Sequence, residues 1–287
     1  MSNWISDRVE NLRASAEVFG QNAGEDLECV WHVFGAGPAL TLIHGGSGSW
    51  LHWVPVIEQL AKEFRVLIPD MPGFGNARDR HAETVDDVIG AIAKDLRTLL
   101  QTDGTTRLAA FSFGGIIGTQ IAARDATLVS HLTLIGSAGF GGPRGPLPAM
   151  QRLDKLHPNE LHDGARANLM ALMLTRDEMA TGEAIRAHLF NCIPRPFRSR
   201  SISHSSILDE VLPTLKCPVH LTWGEQDATI QGHLHTRLEH VRSLLPDATV
   251  SVIPESGHWT MQEASEATVD LLRGLACPPD KRMAEAL

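Results

Sequence analysis

Ser112 lies in the run Ala109-Ala110-Phe111-Ser112-Phe113-Gly114-Gly115, an apolar stretch that ends at a hydroxyl and continues into small residues. A serine hydroxyl is a weak nucleophile near neutral pH, so it needs a base to take its proton and a third group to hold that base. Two late segments supply such groups. Pro254-Glu255-Ser256-Gly257-His258 ends in an imidazole, and Leu221-Thr222-Trp223-Gly224-Glu225-Gln226-Asp227 ends in a carboxylate, with Glu225 on the same turn as a second acid. A fourth part is also required, because the oxyanion of an acyl-transfer intermediate is stabilised by preorganised donors worth about 3 to 4 kcal/mol each. The glycines of Ile43-His44-Gly45-Gly46-Ser47-Gly48-Ser49-Trp50 let main-chain amides approach a substrate closely, and the N–H groups of Gly46 and Phe113 are the expected pair. The same loop matches neither GxxxxGK[ST] nor GxGxxG, the spacings by which glycine-rich loops hold phosphates.

These groups are far apart in sequence, so a fold must gather them. Val54, Ile57, Leu60 and Ala61 have helical spacing, Val85, Val88, Ile89, Ile92, Leu96 and Leu99 mark one face of a long helix, and Ile116 to Ala123 reads as a buried helix. Short apolar strands are expected at Arg65 to Pro69, Leu108 to Phe111, Leu132 to Ile135, Val219 to Trp223 and Val250 to Ile253. Strands alternating with helices imply a mostly parallel sheet, because parallel neighbours need crossover connections. Ligand sites in open sheets of this kind collect at the carboxyl ends of the strands, where Ser112, Asp227 and His258 all fall. Ser112 would then occupy a sharp strand-to-helix turn, which demands small residues two before and two after it; Ala110 and Gly114 meet that demand. A serine that only caps a helix is the plainer alternative.

Elsewhere the pattern is weaker. Residues 1 to about 13 read as a leader of unspecified structure, and Ala16 to Phe19 as the beginning of an edge strand. Leu27 to Phe34, the turn Gly35-Ala36-Gly37-Pro38 and Ala39 to Ile43 read as a hairpin forming the antiparallel edge. Between Gly136 and Cys217 no strand pattern occurs; a Gly and Pro cluster from Gly139 to Pro148 precedes helical patterns at Leu161 to Leu174 and Glu183 to Phe190. This stretch is an insertion.

Taken together, the motifs resemble those of the α/β-hydrolase superfamily, from about Phe19 to Leu275. His44-Gly45 resembles its HG oxyanion loop, Asp70-Met71-Pro72-Gly73-Phe74-Gly75 its D-x-P-G-x-G turn, Ser112 its nucleophile elbow, Gly224 to Asp227 its acid turn and Gly257-His258 its histidine loop. The serine, acid, histidine order is also that of the superfamily. Ala110 stands where the elbow usually has glycine. The resemblance favours Asp227 over Glu225 as the orienting acid. It implies an α/β fold with a mostly parallel eight-stranded sheet, helices on both faces, a core of residues 14–138 and 214–276, and a helical cap of residues 139–213 after the sixth strand. A serine at the elbow also disfavours the haloalkane dehalogenase and epoxide hydrolase branches, which use aspartate there.

Composition narrows the partners. A net charge of −9 opposes general affinity for nucleic acid, whose phosphates require clustered cations. No apolar run approaches the roughly 20 residues that span a bilayer, and the start lacks the basic-then-apolar pattern of a secretory signal. A cytoplasmic protein acting on a small-molecule substrate, without nucleic-acid or membrane partners, is expected; a homodimer is compatible with the sequence. Cys29, Cys192, Cys217 and Cys277 form no CxxC pair and read as reduced thiols. His233, His235 and His240 offer HxH spacing but too few converging ligands for zinc, so neither a metal nor a cofactor is expected.

The substrate is less legible. Trp50, Phe140 and Trp259 are candidate apolar contacts, although core packing accounts equally well for such aromatics. In Arg195-Pro196-Phe197-Arg198-Ser199-Arg200, Arg198 either holds a substrate carboxylate or forms solvated surface. A tryptophan after the histidine and an arginine in the cap resemble the meta-cleavage-product hydrolases, which split a carbon–carbon bond in dienoic keto acids. The loop Gly45 to Trp50 departs from their longer glycine-rich form. The leading expectation is a serine carboxylic ester hydrolase acting through an acyl-enzyme on a small to medium, partly apolar ester. Carbon–carbon hydrolysis is the alternative, and a ligand-binding receptor on the same fold is a third reading.

Overall fold

The computed structural model describes residues 6–21, 27–101, 104–193 and 200–274. Eight strands form one sheet: β1 (Glu17–Phe19), β2 (Val30–Phe34), β3 (Ala39–Ile43), β4 (Arg65–Asp70), β5 (Thr106–Phe111), β6 (Val129–Ile135), β7 (Val219–Gly224) and β8 (Thr249–Ile253). Their order is β1-β2-β4-β3-β5-β6-β7-β8. The β1–β2 and β2–β4 pairs are antiparallel and all later pairs parallel, which is the mostly parallel sheet expected.

The helices are α1 (Asp7–Ser15), α2 (Val54–Leu60), α3 (Val85–Leu99), α4 (Phe113–Arg124), α5 (Leu161–Leu172), α6 (Gly182–Cys192), α7 (Arg200–Ser203), α8 (Ile207–Val211), α9 (Leu234–Leu244), α10 (Thr260–Glu263) and α11 (Ser265–Gly274). Alternate side chains of a strand face opposite sides of the sheet, and both sides are covered here. In β5, Leu108 and Ala110 join a core built with α3 and α4, whereas Ala109 and Phe111 join a second core with α2 and α11. A strand buried on both faces cannot alternate polar and apolar residues, which is why β3, β4 and β5 read as continuous apolar runs. Helix α3 shows how local signals agree with packing. Thr84 and Asp87 form a reciprocal capping box at its start, and Val88, Ile89, Ile92 and Leu96 bury one stripe.

Two expectations are corrected. The proposed hairpin does not exist, because β4 lies between β2 and β3 in the sheet. The Gly35–Pro38 turn instead carries the chain across the start of β4. Its glycines have φ of +70° and +125°, and a Cβ on Gly35 would lie 2.2 Å from the Ala61 carbonyl oxygen. The glycines thus answer a close backbone approach as well as a turn. The second correction concerns residues 7–13. They belong to α1, whose N-cap Ser6 accepts from the Val9 N–H and whose Val9 and Leu12 are buried in the second core. Two buried apolar residues in nine form too thin a stripe to be recognised from periodicity.

Between β6 and β7 the regular elements among the described residues are all helical, α5 to α8 and short single turns, and they follow an irregular stretch over 136–152. No helix among the described residues is long and apolar enough to cross a membrane.

Candidate active site

Ser112 follows β5 directly and precedes α4. Its backbone has φ 53° and ψ −118°, a conformation costing a non-glycine residue about 1 to 3 kcal/mol, which the surrounding packing must offset. The packing is close: a Cβ on Gly114 would lie 2.4 Å from the His44 carbonyl oxygen, and one on Gly115 1.9 Å from Ser137 Oγ. Small residues at the start of α4 are therefore dictated by the loop after β3 and by the end of β6. Ser47 and Glu255 also have positive φ, so the loops after β3, β5 and β8 each contain one strained non-glycine residue.

The Ser112 hydroxyl, His258 and Asp227 meet. His258 Nδ1 lies 2.8 Å from Asp227 Oδ2, and His258 Nε2 lies 3.0 Å from Ser112 Oγ. A carboxylate oxygen only accepts, so Nδ1 carries the proton and Nε2 offers its lone pair to the serine hydroxyl. The other carboxylate oxygen, Oδ1, accepts from the Thr229 N–H at 2.8 Å and from the Thr229 hydroxyl at 2.7 Å, which fixes the carboxylate plane. Glu225 points elsewhere, accepting from the Glu255 N–H at 3.1 Å. Asp227 and His258 are buried and Ser112 is partly exposed, so the hydroxyl is the accessible end of the chain of contacts.

The loop after β3 is held from behind. His44 Nδ1 donates to the Gly45 carbonyl at 2.8 Å while Nε2 accepts from the Met71 N–H at 3.3 Å. This arrangement requires a neutral ring, and burial lowers the His44 pKa accordingly. Asp70, at the end of β4, accepts from the Trp50 N–H at 2.7 Å and from the Asn76 N–H and side-chain amide, each at 2.8 Å. Burial pushes the Asp70 carboxyl up, but contacts with His32, His44 and Asn76 outweigh it and the pKa is lowered. A Cβ on Gly75 would lie 2.5 Å from that carboxylate, which explains glycine at the end of the D-x-P-G-x-G turn. Gly45 itself approaches Ser112 so closely that an added Cβ would lie 3.2 Å from the serine Cβ. Gly46 and Phe113, the expected donors, are thus carried on two segments that touch beside Ser112.

Several contributors escaped the sequence reading. Glu263, 5% exposed, accepts from the Gly257 N–H at 2.6 Å and from the Thr175 and Arg176 N–H groups at 2.7 and 2.9 Å. One carboxylate thereby ties the segment before His258 to the helical insertion. Gly136 has φ +53°, and a Cβ there would lie 3.1 Å from Asp227 Oδ2 and from the His258 ring. Ser49 donates to Asn191 Oδ1 at 2.6 Å, joining the loop after β3 to α6. His52 packs 5.5 Å from both Phe111 and Trp259, and the Phe111 ring lies 4.8 Å from His258. Burial first, then neighbouring His44, His188 and His258, holds its pKa well below the usual value. Burial also lowers His188 to about 4. Glu263, Gly136, Asn191, His52 and His188 stand in no motif with a recognisable spacing.

The expected substrate contacts are placed as follows. Trp50 is buried and stacked on His32 at 4.7 Å, Phe140 packs 5.9 Å from Trp223 in the core, and Trp259 donates its indole N–H to the His52 carbonyl at 2.8 Å. Phe140 and Trp259 pack inside the protein, whereas Trp50 also lines a cavity between α1 and α6. Arg198 lies outside the described residues. A cavity of about 490 Å³ is lined by Asp227 and His258 together with Met170 to Thr175. His235 pairs with Glu239 and His240 with Asp209, and among the described residues no three His, Cys, Asp or Glu side chains converge as metal ligands.

Comparison with known proteins agrees with this architecture. The family model for the alpha/beta hydrolase family matches residues 42–271. The chain belongs to that family. A 2-hydroxymuconate semialdehyde hydrolase from Pseudomonas sp. (strain CF600) is 38% identical over 253 residues, spanning 81% of this chain and 84% of that protein. A pimeloyl-acyl-carrier protein methyl ester esterase from Vibrio atlanticus (strain LGP32) is 32% identical over 118 residues, a match spanning 41% of this chain and 43% of the esterase. The crystal structure of an esterase from Rhodococcus sp. ECU1013 has a TM-score of 0.70 at 24% identity, covering 91% of this chain and 98% of that one. At that identity the likeness speaks to the fold.

Proposed function

We propose that this hydrolase cleaves a small to medium, partly apolar carboxylic ester through an acyl-enzyme on Ser112. The observation that carries the reading is the continuous contact from the Ser112 hydroxyl through His258 to Asp227. Ser112 Oγ attacks the ester carbonyl as His258 Nε2 takes its proton, and the Gly46 and Phe113 N–H groups receive the oxyanion. Collapse expels the alcohol, which takes the proton back from His258. Water then attacks the acyl-enzyme by the same route, releasing the acid and regenerating the serine. Residues 139–213 act as a cap over this site, a role supported by Glu263 and by the hydrogen bond from the Trp259 N–H to the Met173 carbonyl.

Carbon–carbon hydrolysis of a dienoic keto acid is the second reading, favoured by the 38% identity with 2-hydroxymuconate semialdehyde hydrolase. A panel of short and aryl esters, with Ser112→Ala as the blank, separates the two. Turnover of esters and fluorophosphonate labelling of Ser112 are expected. Bleaching of a ring-fission dienone by protein that ignores every ester would select the second reading, and an unreactive Ser112 in folded protein would remove both.

A further inference from the structure

A second cavity, of about 550 Å³, lies between α1 and α6, and neither Ser112 nor His258 lines it. Its wall is largely apolar, formed by Val9, Leu51, Leu161, Ala187, Phe190 and Ile193. Two cations, Arg13 and Arg186, complete it. Neither has a hydrogen bond or ion pair among the described residues, and Arg186 Nε is buried without an acceptor. The acid in the same wall, Glu183, accepts from the Ser6 hydroxyl and faces Arg8, and it pairs with neither arginine. A third guanidinium, that of Arg78, stacks on Phe190 with its carbon 4.5 Å from the ring centroid. Arg13 is exposed and Arg186 half-buried, so the unpaired cation that stands out beside the concave apolar wall, in a chain of net charge −9, is Arg186. A buried guanidinium nitrogen with no acceptor costs free energy that an anionic oxygen would recover.

We infer that this cavity binds an amphipathic anion, a long-chain carboxylic acid whose alkyl chain lies along Ala187 and Phe190 while its carboxylate meets Arg13 and Arg186. The apolar wall accounts for the chain, and the forked guanidinium donors suit a planar carboxylate. The site is distinct from the reacting hydroxyl. Helix α6 nevertheless borders both regions, since Ala187 and Phe190 line the cavity and Asn191 bonds to Ser49 in the loop after β3.

Titration calorimetry of dodecanoate into the full chain tests the inference. Saturable binding is expected, persisting when Ser112 carries a small diisopropyl phosphoryl group. Replacing both arginines, Arg13→Ala with Arg186→Ala, should weaken it about tenfold or more. Butanoate, which lacks the chain, and dodecyltrimethylammonium, which inverts the charge, should each bind at least about tenfold more weakly. Ala187→Trp should block the cavity, with circular dichroism confirming that each variant is folded. The inference is overturned if dodecanoate does not bind, if the double arginine variant binds it unchanged, if the cationic amphiphile binds equally well, or if phosphorylating Ser112 abolishes binding. Binding is read without turnover, so failure of the ester reading leaves this test intact.

Discussion

The Glu263 carboxylate accepts the Gly257 N–H at 2.6 Å, one residue before His258, while its other oxygen receives the Thr175 and Arg176 N–H groups. The segment carrying the imidazole and the insertion facing it therefore share one buried anion. Removing that anion strands three backbone donors, and hydrogen bonds to charged groups are worth about 1.5 to 3 kcal/mol each. Glu263→Ala is expected to lose on the order of 3 kcal/mol in urea unfolding and to lower kcat more than it raises KM. Wild-type kinetics and stability in this variant would show that the contact positions nothing.

Gly136 is required by space as well as by conformation. A methyl group there would lie 3.1 Å from both the Asp227 carboxylate and the His258 ring, on a backbone at φ +53°. Gly136→Ala is expected to cost about 1 to 2 kcal/mol and to lower kcat by roughly 10- to 100-fold through displacement of the imidazole. The measurement is steady-state ester hydrolysis alongside thermal unfolding, and loss of stability without loss of turnover would contradict it.

Asp227 sets the tautomer of His258. In Asp227→Asn an amide N–H facing Nδ1 would force the ring proton onto Nε2 and leave no lone pair for Ser112. The expected result is a fall in kcat of about 10³- to 10⁴-fold with KM little changed. Ester kinetics check this, and retention of more than about a tenth of the activity would point to Glu225 as the working acid.

Burial lowers His188 and His220 to about 4 from their ordinary value of 6.5. The unfolded chain then takes up protons near pH 6.5 that the folded chain refuses until about pH 4. Stability from these groups is complete above pH 6.5, declines as pH falls through that window and levels off below it. With solvent screening at their partly exposed edges, each contributes on the order of 1 to 3 kcal/mol. His44, His52 and His131 shift in the same direction. Urea midpoints at pH 5 and 7.5 measure the effect, and His188→Gln should reduce the difference between them.

Burial raises the pKa of Cys29, and that of Cys192 to about 12, so neither thiol ionises readily in the folded chain. Both are expected to resist a disulfide reagent in native protein and to react on unfolding. Fast native labelling of either, located by peptide mapping, would show that the core around it opens.

The α/β class was legible because β3, β4 and β5 bury both faces and appear as continuous apolar runs, while α3 carries a strong stripe. Helix α9 buries only Arg237 and Val241 and gives little periodic signal. The pairing of β2 was misread because a turn specifies where the chain reverses but not which strand fills the adjacent place. That choice belongs to β4, which is 22 residues further on from the end of β3 to its own start.

The motifs around Ser112, Asp227 and His258 announced themselves because tight turns restrict residue size and sharp chemistry restricts residue type. Those constraints are local, so the sequence alone determined the α/β class and nominated the candidate catalytic groups. The tertiary structure decided which groups support them. Glu263, Gly136, Thr229 and Asn191 act through contacts made at long range or within unremarkable stretches, and a buried carboxylate acquires its role only from the donors that folding brings to it. Folding likewise decided the cavity between α1 and α6, since two arginines 173 residues apart form one site only when separate helices pack together.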